Sequence, residues 1–432
     1  MSRGGKDDLH TLVQSLTKAE KRLVKLRLTH SPQAVNSNLQ PLFSYLCRIN
    51  NYDDNKLKKQ FSGKRFIKHL SSTKFKLMEI ILQVLSQQRM YQNDQRNSAQ
   101  IMAAEILISK GLERPANKLL QRTYKKASER QDYLIMAQTA QLQRQLICQI
   151  EQKKGVFEKI SSLNQQEAGA LQWYTLQSEW RIFYNELESR IMINFRFRDD
   201  TVIKHYLKHL DSLIKKTGKQ PESAFVQILI PAVKGLIFQA QGLHKEAAKF
   251  FVQSLNLWRK YHTRINLPDV LIFKILFHLA ENRFYSGSPL LPQEKRALDE
   301  LENMVEQSSQ ESIAYLILSK LTHYVASAQF DKADLIRNDY RRNTTSQWGF
   351  YYRMRFFYLM VLRYLFAGDY GNGLYWLNEI RQMPRSDFGI DIRNSIRLLE
   401  LIFHYELDNL DTINYLLRSV SRKLYPYKNQ YL

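Results

Sequence analysis

The sequence predicts an all-α chain in which antiparallel helix pairs stack into a right-handed α-solenoid behind a basic, helical N-terminal module. Three observations lead there. The 432 residues include only 15 Gly and 10 Pro, about half the usual shares of ~7% and ~5%, and sandwiches, barrels and doubly wound sheets need more turn residues than that. Apolar residues recur at helical spacing, as at Phe357, Val361, Tyr364 and Leu365. Turn landmarks at Ala328, Gly368 and Asp408 fall 40 residues apart, the mark of a repeated helix pair. One globular core rarely grows to this chain length, so an array or several domains are expected.

Residues 1–96 read as the basic module. Thr17 and Glu20 have the spacing of a capping box, and a basic amphipathic helix follows to about Thr29, before Ser31-Pro32 breaks it. Leu39–Ile49 and Asp53–Phe61 read as short helices, the latter with Asp53 and Asp54 at its positive end. Gly63 marks a turn. Phe66–Met90 reads as one long helix with a core stripe through Phe66, Ile67, Leu70, Leu77, Ile80, Ile81, Val84 and Leu85. The polar stretch 87–100 is the expected joint to an array over 97–432.

In the array, five segments share one logic, an apolar helix that reaches a turn and a second helix that opens with a small residue. The turns are Gly111, Gly242, Ala328, Gly368 and Asp408, and Gly155, Asp199 and Gly287 fill the gaps. Phe238, Tyr324, Tyr364 and His404 stand just upstream of four of them. The segment KGLIFQAQGLHKEAAKFFVQSL, through Gly235, Phe238, Gly242, Ala247, Phe251 and Leu255, resembles a tetratricopeptide repeat, and GDYGNGLYWL at 368–377 resembles it next best. Small residues such as Gly235 and Ala247 let two helices approach while Phe238 and Phe251 fill the space beside them. The period is nearer 40 than the family's usual 34. The opening SLTKAEKR followed by such an array is also similar to uncharacterised bacterial tetratricopeptide-like proteins, a resemblance that brings no activity with it.

No catalytic constellation is legible, and a non-enzymatic chain without cofactor is expected, with a helical enzyme as the remote alternative. GxGxxG, GxxxxGK[ST] and GxSxG are absent. His205 and His209 stand four apart on a helix, but HExxH is not formed, no third ligand is evident and Lys204, Lys208 and Lys215 disfavour a bound cation; no metal is expected. Asp331, Asp334 and Asp339 read as a solvated face. In YYRMRFFYLMVLRYLF, only Tyr351, Arg353, Arg355, Tyr358 and Arg363 are candidates for ligand contact beside a core stripe, and NFRFRDD at 194–200 reads as a helix end. Cys47 and Cys148, in apolar helical patterns, read as reduced thiols. With no apolar leader at the N-terminus and no apolar run long enough to span a bilayer, a cytoplasmic protein without a membrane span is expected.

A partner-binding groove is expected, with nucleic-acid binding by the basic module as the alternative. The tetratricopeptide resemblance implies a concave groove lined by the first helix of each pair. That places Leu229, Ala232, Leu236, Gln239, Tyr315, Leu318, Thr322, Arg355, Tyr358 and Leu362 in it, a set more apolar than basic and suited to a protein or peptide partner or to the chain's own packing. The net charge is +23. Residues 1–96 hold 18 Lys+Arg against 7 Asp+Glu, so close to half of the excess sits in the first quarter. In the alternative reading the chain is a regulator whose array acts as sensor, and Lys18, Lys21, Arg22, Lys25, Lys58, Lys59, Lys64, Arg65, Lys68 and Lys74 of this module, a set of short helices before a longer one as in a helix-turn-helix unit, contact nucleic acid.

Overall fold

The computed structural model describes residues 7–30, 39–90, 96–150, 155–194, 196–197, 199–218, 221–265, 267–304, 309–342, 348–384 and 388–424. Among them every regular element is helical and there is no strand. No helix is long and apolar enough to cross a membrane. The chain divides into two compact units, Met1–Thr123 and Tyr124–Leu432.

The first unit opens with α1 (Asp8–Ser15), α2 (Lys18–His30), α3 (Leu39–Leu46), α4 (Asp54–Gln60) and α5 (Leu70–Met90). Its core gathers Leu9, Val13, Val24, Leu28, Phe43, Leu57, Leu77 and Ile81. The capping box at α2 forms in both directions: Thr17 N–H donates to Glu20 Oε2 at 2.8 Å, and Glu20 N–H to Thr17 Oγ1 at 3.2 Å. The long helix expected from Phe66 begins later. Residues Arg65–His69 form a 3-10 turn, and Phe66 uses it to bury its ring edge-on against Phe61, centroids 5.3 Å apart. The unit continues with α6 (Arg96–Ser109) and the start of α7 (Glu113–Glu129).

The second unit holds α8 (Tyr133–Ile150), a 39-residue α9 (Val156–Asn194), α10 (Asp200–Thr217), α11 (Ala224–Ala240), α12 (His244–Tyr261), α13 (Asp269–Tyr285), α14 (Pro292–Glu302), α15 (Gln310–Ala326), α16 (Phe330–Arg342), α17 (Phe350–Phe366), α18 (Tyr370–Arg381), α19 (Ile390–Glu406) and α20 (Leu410–Leu424). Neighbours in sequence pack as pairs, notably α11 with α12, α15 with α16, α17 with α18 and α19 with α20. The first helices also pack in series: α9 on α11, α13 on α15, α15 on α17, with α12 filling between α11 and α13. The series then turns back, and α19 touches α9. One continuous core runs through this unit from Trp180 to Phe403.

Seven turns between helices share one device. Gly111, Gln131, Gly242, Gly287, Ala328, Gly368 and Asp408 all have positive φ. In each turn the next amide reaches back to the carbonyl five residues earlier: Leu243 to Phe238 at 2.9 Å, Gln329 to Tyr324 at 2.9 Å, Asp369 to Tyr364 at 3.0 Å and Asn409 to His404 at 3.0 Å. This is the Schellman closure, which satisfies carbonyls that the helix end leaves open. α11 and α12 approach closely: a Cβ on Gly235 would lie 2.9 Å from Cζ of the fully buried Phe251.

At Ala328 the left-handed conformation, φ 53°, carries a cost that Gly368 at φ 71° escapes, of about 1–2 kcal/mol for an L-residue. Ala328→Gly is therefore expected to stabilise the unit by about 1 kcal/mol, after the extra freedom of glycine in the unfolded chain is subtracted. Gly368→Ala, whose new methyl would meet nothing within 4 Å, should destabilise by a similar amount through its backbone alone. Urea unfolding followed by tryptophan fluorescence reads both, because all five Trp residues lie in the second unit.

Candidate functional site: the inner face of the second unit

The first helices present to one another a stripe at helical spacing. On α13 it runs Lys274, His278, Glu281, Tyr285; on α15, Glu311, Tyr315, Leu318, Thr322; on α17, Tyr351, Arg355, Tyr358, Leu362. α9 adds Tyr184 and Glu188, and α11 adds Gln239. These stripes meet and hydrogen-bond. Lys274 Nζ donates to Glu188 Oε2 at 2.8 Å, Tyr315 Oη donates to Glu188 Oε1 at 3.1 Å, and His278 Nε2 lies 3.7 Å from the same Oε1. Glu311 Oε1 stands 3.4 Å from Lys274 Nζ and accepts from Tyr352 at 3.1 Å. Further along, Arg355 Nη1 pairs with Glu281 Oε1 at 3.0 Å while its Nε donates to Tyr351 at 2.8 Å. Asn282 donates to Gln239 at 2.9 Å, and Gln239 donates to Glu281 at 3.4 Å.

Burial makes this network costly to disturb. Glu188 keeps 3% of its surface, Glu281 5%, Arg355 2% and His278 none. Burial alone pushes the Glu188 carboxyl up, but His278 and Lys274 outweigh it and hold the group below its ordinary value. Burial pulls Lys274 down, and Glu188 and Glu311 more than restore it. The Tyr315 and Tyr351 hydroxyls are pushed well above the usual phenol range, by burial first.

All ten residues expected to line a groove are buried, with Leu229, Ala232, Leu236 and Leu318 at 1% exposure or less. Where α9 crosses, the inner faces close on one another. The face opens toward the C-terminal ends of the first helices, where Tyr285 keeps 40% of its surface, Phe366 54%, Leu398 40%, Ile402 42% and Tyr405 69%. On α19, Leu398, Ile402 and Tyr405 continue the stripe that begins at Asp391 and Ser395. Although its ring is partly exposed, burial pushes the Tyr285 hydroxyl well above the usual phenol range, with Tyr358 and Arg355 acting on it as well.

No family model and no curated protein matches the chain.

Other candidates resolve differently. Arg363 pairs with Asp334, 2.6 Å away across α16 and α17. Asp334 thus belongs to a helix contact and not to a solvated face, while the Asp339 side chain lies outside the described residues. Tyr358 and Tyr351 sit at the inner face, as above. His209 stacks on Phe183 at 4.3 Å and His205 meets Tyr206 edge-on. Among the described residues no group of three His, Cys, Asp or Glu is arranged to hold a metal. Cys47 is half-buried, and the Cys148 side chain lies outside the described residues. A cavity of about 360 Å³ between α12 and α14 is lined by Leu255, Arg259, Arg283, Leu291 and Glu294. Its arginines are engaged, Arg283 with Glu294 and Arg259 with Glu300.

In the first unit, Lys74 is tied inward, 2.7 Å from Asp7 and 3.2 Å from Asp54, with Tyr52 against its ammonium. Lys58 pairs with Asp54 at 2.8 Å. Lys18, Arg22, Lys25, Lys59, Lys64 and Lys68 are exposed and Lys21 is half-exposed. The Arg65 side chain lies outside the described residues.

The sign of the Glu188 effect fixes a pH dependence. A carboxyl held below its unfolded value, about 4.3 for Glu, stabilises the fold above that pH and stops doing so as pH falls through the native value. The second unit should lose stability below about pH 4 in part through this group, and Glu188→Gln should flatten that acid limb while lowering the plateau at pH 7. Urea midpoints from pH 3 to pH 8 check this; an acid limb equally steep in Glu188→Gln would assign it to other carboxyls.

Proposed function

We propose that this chain is a non-catalytic interaction protein whose second unit is a tetratricopeptide-like α-solenoid, and that it binds a protein or peptide at the open end of its inner face. One observation carries the reading. Where the inner stripe leaves the sealed network it becomes apolar and exposed, at Phe366, Leu398, Ile402 and Tyr405. The neighbouring α20 also leaves Leu410, Tyr415 and Leu417 half or more exposed. A run of exposed apolar side chains of this kind fits a surface that a partner covers. A helix or extended segment with apolar anchors at helical spacing suits the Leu398, Ile402, Tyr405 stripe.

The sealed half has a different task in this reading. Glu188, Lys274, Tyr315, Glu281 and Arg355 lock the first helices in one arrangement, so that the open half presents its side chains without reordering on binding, which lowers the cost of association.

Affinity purification with the full chain, with and without nuclease, tests the proposal. A protein partner retained after nuclease, and lost with Ile402→Asp/Tyr405→Asp at unchanged helical circular dichroism, is the expected outcome. A drop of about tenfold or more in affinity corresponds to ~1.4 kcal/mol, well within what two anchor residues carry. Recovery unaffected by the double variant, or abolished by nuclease, would reject this surface.

A further inference from the structure

We propose that α2 carries a second, independent binding surface, for the phosphate backbone of nucleic acid. Lys18, Lys21, Arg22 and Lys25 stand at i, i+3, i+4 and i+7, and therefore form one stripe along the helix. At about 1.5 Å rise per residue the stripe is roughly 10 Å long. None of the four has an ion-pair partner among the described residues.

What sets the stripe apart from an ordinary lysine-rich face is the fate of the unit's acids. Residues 7–90 hold six Asp and Glu, and four are consumed internally. Asp7 caps α1 and holds Lys74. Glu20 closes the capping box of α2. Asp53 caps α4, accepting from the amides of Asn55 at 2.9 Å and Lys56 at 3.3 Å. Asp54 binds Lys58, Lys74 and the Tyr52 hydroxyl. Four of the six carboxylates are thus spent on folding while the α2 cations are left without an ion pair, and a cationic track of this kind attracts a polyanion.

Nucleic acid fits this track better than a membrane surface does. An interfacial helix lays an apolar face into the lipid, but Val24 and Leu28 of α2 are buried in the unit's own core at 0% and 1% exposure. Leu23 at 40% and Leu26 at 55% are the large apolar side chains that α2 exposes, too few to form such a face. Point charges without a base-reading constellation give sequence-independent contact with phosphates.

The test uses the full chain, a 20-base-pair DNA duplex, an RNA of equal length and vesicles containing phosphatidylserine. Duplex binding should weaken with salt at a log–log slope near −3 to −4, as expected for about four neutralised phosphates at −0.9 each. Lys18→Ala/Lys21→Ala/Arg22→Ala/Lys25→Ala should remove most of that slope and at least tenfold of the affinity at low salt. Because these side chains are outside the core, circular dichroism should be unchanged. Lys249→Ala, on the second unit and paired with Glu246, should leave binding as it was. RNA bound more tightly than DNA, with the same loss in the quadruple variant, supports the same surface. No binding to either nucleic acid at low salt, binding that survives in the quadruple variant, or capture by vesicles alone would overturn the proposal.

Discussion

The second unit depends on one buried carboxylate. Glu188 projects from α9 and is held by Lys274 of α13 and Tyr315 of α15, with the ring of His278 beside it. A lone charge at that depth would be strongly unfavourable, so the carboxylate is tolerable only while α9, α13 and α15 stand in this arrangement. Removing one partner of such a pair is worth about 3–5 kcal/mol, whereas a surface ion pair such as Lys249–Glu246 is worth a fraction of that. The contact therefore acts as a registration device. It fixes where α9 sits against helices that follow it much later in the chain, and it decides which part of the inner face is sealed and which stays open.

The local grammar of the fold was legible in the sequence. Thr17 and Glu20 announce a capping box that forms as spaced. Gly111, Gly242, Gly287, Ala328, Gly368 and Asp408 mark turns, and each proves to be the left-handed residue of a helix end. Phe238, Tyr324, Tyr364 and His404, noticed upstream of those turns, supply the carbonyls that accept the closing bond. These features act over five residues or fewer, which is why pattern alone reveals them.

The site was less legible, for the opposite reason. Glu188 meets Lys274 across 86 positions and Tyr315 across 127, and no local spacing records such a meeting. α13 carries Lys274, His278, Glu281 and Tyr285 on one stripe, yet its sequence has no strong repeat match, so the groove drawn from the better repeats omitted it and read as mainly apolar. Adding α13 and α9 turns that surface into a charged network at one end and an aromatic rim at the other. Arg355 and Tyr358 were found from the sequence, but as ligand contacts on an open groove; the structure places them beside Glu281 and Tyr285 in the network. The charge of the first unit was countable from the sequence, but which cations are committed was not. Lys74 and Lys58 are occupied by Asp7 and Asp54, while the α2 stripe is not.

A double-mutant cycle between Glu188→Ala and Lys274→Ala, measured by urea unfolding on tryptophan fluorescence, most directly tests the claim that this contact sets the inner face. Each single change leaves the other charge buried without its principal partner, so a coupling energy of about 1–3 kcal/mol is expected, with the double variant less destabilised than the two singles summed. Additive effects, agreeing within about 0.3–0.5 kcal/mol, would show that α9 and α13 are not held by this pair and would contradict the account.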